Sequence, residues 1–387
     1  MKSNWIRLLA GALVSVVLVG AFALTGGMKS GKSTEGILYQ ASGLHPDGQM
    51  LVIDGQTVTC EEYLRWLDYT CAYLTNQLPD IDWSAAISDS EDAMTYGEYA
   101  KVEAVETVKS YAVIRAWAEQ ANVTLGDEAI EALAAQRAQY VALYGEEGYQ
   151  QQLALMGISE ETFDNILATQ YLLSALRDAY APGGSLYDQA AVDALIDQQR
   201  LTGVYVITLT GDNAETMAAD LLERWQAAED KDAEYQAICD ELQQEAGGVV
   251  TLAAVEGDPL SDAIMAMELE ELATAIDPYG DGTCYVLLRT APDQSVAAEA
   301  YFQQLWEQKL SDATVVSNAK LYNGLDVADF CSKLSALRTE MAAEISGSTQ
   351  TDGTQTDGTQ TDDGQTDDTG DADTADTTDD TAAEPAA

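Results

Sequence analysis

The sequence predicts a mainly α protein with an α+β domain inserted into it, and three observations carry that prediction. From Tyr99 to about Tyr180 apolar residues recur at helical spacing between capping residues. From 202 to 291 the pattern changes to strand, helices, strand, helix, strand, which is the composition of a compact α+β unit. After Pro292 helical periodicity returns, so the second pattern interrupts the first.

Taken in order, residues 1–30 begin with Lys2 and Arg7, followed by an uncharged run of 17 residues from Leu8 to Leu24. A basic start before an apolar run is a secretory signal, and this length is also close to the shortest that spans a bilayer. The expectation is a signal anchor that places the folded part outside the cytoplasm, attached to the cell membrane. Cleavage after Ala23, in Ala21-Phe22-Ala23, is the alternative, and it gives a secreted protein. No Cys follows the run before Cys60, which excludes a lipoprotein anchor.

Residues 31–49, rich in Gly, Ser and Lys, read as a linker. Residues 50–201 read as a helical domain. It opens with two apolar runs around Asp54-Gly55, a hairpin signal, and then Thr59 and Glu62, spaced as a capping box. The helix behind them carries Tyr63, Leu64, Trp66, Leu67 and Leu74. A long helix through Val108, Ile114 and Trp117 stops near Asn122. Further helices start at Asp127, end at Gly157, and start again after Ser159, and Pro182-Gly183-Gly184 breaks the run.

In the stretch 202–291, Val204 to Leu209 is β-rich and is followed by helices from Glu215 to Ala227 and from Glu234 to Gln244. A second apolar run spans Val249 to Val255. A helix from Ser261 to Ala275 then leads through an Asp277–Gly282 turn to a strand from Cys284 to Arg289. Residues 292–345 read as a segment returning to the first domain. Its helix carries Ala297, Tyr301, Leu305 and Leu310, and Val315-Val316 is placed to pair with Leu51 to Ile53. Residues 346–387, a Thr-Gln-Thr-Asp-Gly repeat with almost no apolar side chains, read as a disordered acidic tail. Deleting that tail is expected to leave the melting temperature and client binding unchanged, and a fall of several degrees would show that it packs on the body.

The chain has 66 acidic and 18 basic residues, a formal charge of −48, and only 12 of the acidic residues lie after Ser346. Such a surface repels phosphate backbones, which argues against nucleic acid as a partner. Five cysteines, Cys60, Cys71, Cys239, Cys284 and Cys331, lack metal-like spacing and read as buried thiols. Cys60 and Cys71 share one helix about 16 Å apart, too far to bridge each other. No metal and no cofactor are expected, because no P-loop, nucleophile elbow or dinucleotide fingerprint occurs. Asp277–Gly282 reads as a tight turn rather than a calcium loop, which would need a Glu where Leu288 stands. Glu268, Glu270 and Glu271 read as a solvated helix face.

Four stretches in this order resemble the SurA/PrsA-type extracytoplasmic foldases. They are Val52-Ile-Asp-Gly-Gln-Thr-Val-Thr-Cys-Glu-Glu-Tyr63; Ala118 to Glu128 with Leu153 to Glu161; residues 203–290; and Thr314-Val-Val-Ser-Asn-Ala-Lys-Leu-Tyr322. The resemblance implies a SurA-like helical chaperone cradle built from both chain ends, with a parvulin-type (PpiC-like) prolyl isomerase domain between them. It also implies unfolded or extended polypeptides as partners. The two strand histidines of such isomerases fall on Val206 and on Tyr285, or on Cys284 if the register shifts by one. Their Asp falls on Val249, and their pocket Phe on Leu260. The single histidine, His45, reads as an exposed turn residue. The resemblance therefore implies a degenerate site with no catalytic residue, in which Leu260 and Tyr285 are the candidate peptide groove. The expected function is a chaperone with little or no isomerase activity. An isomerase with an atypical site and an envelope scaffold for one fixed partner are the alternatives.

Overall fold

A computed structural model describes residues 36–90 and 92–351, with side chains described through Glu344. The apolar run from Leu8 to Leu24 and residues 352–387 of the acidic tail lie outside the described residues. No helix among the described residues is long and apolar enough to cross a membrane.

The segment read as a linker contains a helix, α1 (Ile37–Ser42). Ile37, Leu38, Tyr39 and Ala41 are buried in the main core, and α1 packs on the last helix, α12 (Val327–Thr351). Fewer than two helical turns do not hold alone in water. This helix forms because a partner near the other chain end covers it, which local composition does not record. Gly157 permits that packing: its φ is +75°, and a Cβ there would fall 2.5 Å from Leu38 Cγ.

Next come β1 (Gln49–Ile53) and β2 (Gln56–Thr59), paired antiparallel across Asp54-Gly55, which both have positive φ as a two-residue hairpin requires. The Thr59 side chain accepts the Glu62 amide at 3.1 Å and caps α2 (Cys60–Gln77). The expected capping box is only half formed, because the Glu62 carboxylate turns to Arg115 instead, at 2.9 and 3.3 Å. A complete box, Thr95 with Glu98, opens α3 (Tyr96–Ala121). Then follow α4 (Asp127–Met156), broken at Gly145, and α5 (Glu160–Tyr180) and α6 (Gln189–Gln199).

The four-stranded sheet has the order β4-β3-β6-β5, all antiparallel. Its strands are β3 (Leu201–Leu209), β4 (Val250–Ala253), β5 (Leu272–Ile276) and β6 (Cys284–Thr290). Helices α7 (Ala214–Ala227) and α8 (Lys231–Leu242) cover one face, around fully buried Trp225. Helix α9 (Pro259–Ala266) covers part of the other. The sequence predicts one helix from Ser261 to Ala275, but this helix stops at Ala266 and Leu272–Ile276 is a strand. Arg289 of β6 explains the stop: its guanidinium donates to the Met265 carbonyl at 3.3 Å and to the Met267 carbonyl, satisfying the helix end. Glu268, Glu270 and Glu271 are accordingly an exposed turn rather than a helix face. Asp277–Gly282 is the β5–β6 turn, in which Asp277 accepts the Gly282 amide at 2.8 Å.

Beyond the sheet, α10 (Gln294–Asp312) packs on α3, α5 and α6. Trp117 stacks on Phe302 at 5.2 Å and on Trp306 at 6.4 Å. The buried stripe of α10 runs through Ala297, Ala298 and Phe302, with Tyr301, Leu305 and Leu310 half-buried beside it. Strand β7 (Val315–Ser317) pairs with β1 in the expected place: Val315 lies opposite Ile53 and Val316 opposite Val52. After α11 (Ala319–Gly324), α12 runs to Thr351, six residues into the segment expected to be disordered. The molecule is thus mainly α, with its largest core drawn from both chain ends and an α+β domain inserted between them.

The cysteines are free. Cys60, Cys71, Cys239 and Cys284 are buried and Cys331 is half-buried. The Cys71 thiol is hydrogen-bonded to Cys331, which with burial lifts its pKa far above the ordinary thiol range.

Candidate functional site

The inserted sheet presents an apolar face around α9. Val204, Ile264, Met267, Ala275 and Leu287 form its floor, with Val206, Leu252, Leu260 and Tyr285 half-buried on top. Leu260 and Tyr285, the two groove residues read from the sequence, are therefore brought into one cluster. Strand register decides between Tyr285 and Cys284. Tyr285 lies opposite Thr208 and Ala275 and shares their face, because directly paired residues point the same way. Cys284 points to the opposite face, buried with Trp225 and Tyr235. Val249 does not join the groove. Its Cγ1 lies 3.0 Å from where a Gly203 Cβ would stand, and Gly203 alternates with Val204 and Val206 to the other side of β3. The residue that β4 contributes to the groove cluster is Leu252.

Two polar residues at the rim were not singled out from the sequence, although Asp258 before Pro259 has the form of a helix start. Asp258 caps α9 by accepting the Ser261 amide at 2.8 Å, and it accepts the Tyr279 phenol at 2.9 Å. The Ser261 amide and the Tyr279 phenol hold Asp258 below the usual carboxylate range. The same hydrogen bond lifts the Tyr279 phenol, and burial lifts that of Tyr285, with Asp281 and Asp258 adding to it. Both phenols stay protonated at neutral pH; Tyr279 already donates its one O–H to Asp258, which leaves the O–H of Tyr285 to donate. Asp258 sits one residue before Pro259 in a loop, and Tyr279 in a turn twenty-one residues after Asp258. Only the sheet brings them together.

His45 is an exposed turn residue: its side chain is 76% exposed, and Nδ1 accepts the Asp47 amide at 3.3 Å. Among the described residues no group of three His, Cys, Asp or Glu is placed to hold a metal ion. What the arrangement offers is apolar contact surface with one neutral phenol donor, Tyr285, beside the Asp258–Tyr279 pair.

No family model matches this chain, and no curated protein matches it. Solved structures similar to it include the foldase protein PrsA from Streptococcus pneumoniae str. Canada MDR_19A, 18% identical, covering 65% of this chain and 92% of that one with a TM-score of 0.21. Foldase protein PrsA from Lactococcus lactis is 13% identical, covering 76% and 93% with a TM-score of 0.25. PrsA from Bacillus subtilis is 14% identical, covering 69% and 93% with a TM-score of 0.24. At these scores the likeness carries no argument about activity or ligand, so the site is read from its own residues.

Proposed function

We propose that this chain is a foldase-type chaperone that holds extended stretches of unfolded, exported polypeptide outside the cytoplasm. In this reading its N-terminal segment tethers it to the membrane, and it isomerises prolyl bonds little or not at all. The observation that carries the reading is the groove face around α9, where half-buried Val206, Leu252, Leu260 and Tyr285 surround no histidine. Such a face takes up apolar side chains by burial, at about 25 cal/mol per Å² removed from water, without reading sequence. Rotation about a prolyl bond faces a barrier of about 20 kcal/mol, and only interactions stronger in the twisted state lower it. Val206 and Leu260 make contacts of the same strength in both states. The acidic exterior supports solubility of a chaperone loaded with an apolar client.

A second reading, an isomerase with an atypical site, draws on the phenol of Tyr285 at the rim. One preparation of the chain separates the two. Aggregation of a chemically unfolded client is followed beside protease-free isomerisation of a short Xaa-Pro peptide. Clear protection with isomerisation no faster than in buffer is expected. An isomerisation rate that rises linearly with protein and collapses in Tyr285→Phe would establish the isomerase instead. Saturable binding of one protein, with no unfolded client protected, would point to a fixed-partner scaffold.

A further inference from the structure

Away from the face around α9, the core that joins the two chain ends holds a pair of thiols. Cys71 of α2 is buried, Cys331 of α12 is half-buried, and the Cys71 thiol is hydrogen-bonded to Cys331. Cys331 packs against the same apolar core that contains Leu67, Cys71 and Leu74. A charged contact pins the two helices at the same crossing. Asp68, about one turn before Cys71, is gripped by Arg338, about two turns after Cys331. Asp68 lies within electrostatic reach of Cys71, and Cys331 of Arg338, so the four groups form one cluster.

Sulfurs already in hydrogen-bond contact have only about 2 Å left to close before bonding. The loop that such a bond ties off contains every element from α3 to α11, the insert included, and long loops lose the most chain entropy when closed. The two sulfurs differ in access. Cys71 is 5% exposed, and its bond to Cys331 together with burial keeps it protonated. Cys331 is only half-buried, so an oxidant arriving from solvent meets it first.

We propose that a small disulfide oxidises Cys71 and Cys331 to a disulfide bond that clasps α12 onto α2. Cys331, as its thiolate, attacks the oxidant, forms a mixed disulfide and expels one small thiolate. Cys71 then attacks the Cys331 sulfur, and the second small thiolate leaves and takes up the Cys71 proton. Two protein thiols and one small disulfide become one protein disulfide and two small thiols. Outside the cytoplasm, where the proposed function puts this chain, such bonds form and persist. The clasp goes beyond that reading and is independent of it, because the bond forms or fails in the purified chain whether or not clients are held.

The test treats the whole reduced chain, folded in detergent micelles, with oxidised glutathione, and then denatures and alkylates it. Alkylation is expected at Cys60, Cys239 and Cys284 alone, with a peptide map that links Cys71 to Cys331. The melting temperature should rise by about 5–10 °C and return when a dithiol reductant is added. Cys331→Ser should form no bond and melt alike with and without the oxidant. Cys71→Ser should stop at a glutathione adduct on Cys331. Should Cys71→Ser not fold, Cys331→Ser, at a half-buried position, carries the control alone. Alkylation of all five cysteines, or an adduct on Cys331 of the unaltered chain that goes no further, would overturn the proposal. So would links to Cys60, Cys239 or Cys284 in equal amount, because random pairing follows unfolding. A bond that forms without raising the melting temperature would mean that the helices distort to make it, and the clasp would fall.

Discussion

Replacing Asp68 with Ala is expected to cost the helical body about 3–5 kcal/mol, the usual effect of removing one partner from a buried ion pair. Asp68 is 4% exposed in the middle of α2. Arg338 of α12 grips both its oxygens, at 2.8 and 2.7 Å, and Arg65 reaches it at 3.2 Å. Arg338 also donates to the Leu155 carbonyl at 3.3 Å, so one guanidinium ties the ends of the chain to α4. Burial pulls the Arg65 pKa down, and the neighbouring Arg338 charge adds to that pull against Asp68. For Arg338 burial pulls the same way, but the hydrogen bonds and charge of Asp68 outweigh it and the net shift is upward. Without Asp68 two guanidiniums face each other, Arg65 almost wholly buried and Arg338 about one-third exposed. Urea denaturation of Asp68→Ala measures the loss. A triple variant with Arg65→Met, Asp68→Leu and Arg338→Met should recover most of it, because apolar groups of similar volume need no partner. A loss below about 1 kcal/mol for the single variant, the range of exposed pairs, would show that the site takes up water and the triad holds little.

That triad marks where sequence reading ends. Asp68 and Arg338 lie on helices far apart in the chain, and nothing local to either predicts the other. The main helices from Tyr99 to Tyr180 were legible because their signals are local: Asn122, Gly157 and Ser159 cap them in place, while the Thr95 cap that opens the first of them was missed. Strand β7 was legible for a related reason, since two exposed β-branched residues outside any helical stripe need a strand to lie on. Helix α1 and strand β5 were not. The first depends on α12 for its burial. The second is Leu-Ala-Thr-Ala-Ile, whose alanines favour a helix until the Arg289 guanidinium ends α9 and β6 supplies a pairing edge. Of the groove around α9, Leu260 and Tyr285 could be placed from the order of elements. Asp258 and Tyr279 could not, because their hydrogen bond joins a helix cap to a distant turn.

Excising residues 203–290 and joining the flanks is expected to leave a cooperatively folding helical protein, a loss of nearly a quarter of the chain at little cost to the rest. Gly203 and Thr290 are register partners at the mouth of the inserted sheet, so the chain enters and leaves side by side. Partners in an antiparallel ladder have Cα atoms about 5 Å apart, a gap that one or two glycines close. The cores divide at the same place. Ile207, Trp225, Ile238 and Val286 pack within the insert, as do Val204, Ile264 and Leu287. The helical core draws on α1, both small-sheet faces, α2 to α5 and α12 and takes no residue from the insert. Phe302 packs with Ile114, Trp117 and Leu176 on the helical side, and Leu201 with Val192 and Ala298, just outside the cut. What the excision breaks is small: the Ala254 amide on the Arg200 carbonyl, the Asp293 amide on Thr251, the bonds of the Thr202 hydroxyl with Thr290 and Arg289, and the pairing of Leu201 and Thr202 with β4. A few edge hydrogen bonds at about 1 kcal/mol each do not unfold a body with so large a core. Circular dichroism of the shortened chain should keep a strong helical signal and a single sharp melt. A broad, non-cooperative transition would mean that the insert is structurally required, and the division of the chain proposed here would be wrong. Client protection by the shortened chain then tests the apolar face around α9: protection lost with the insert is expected if that face holds the client, and full protection without it would place client binding in the helical body.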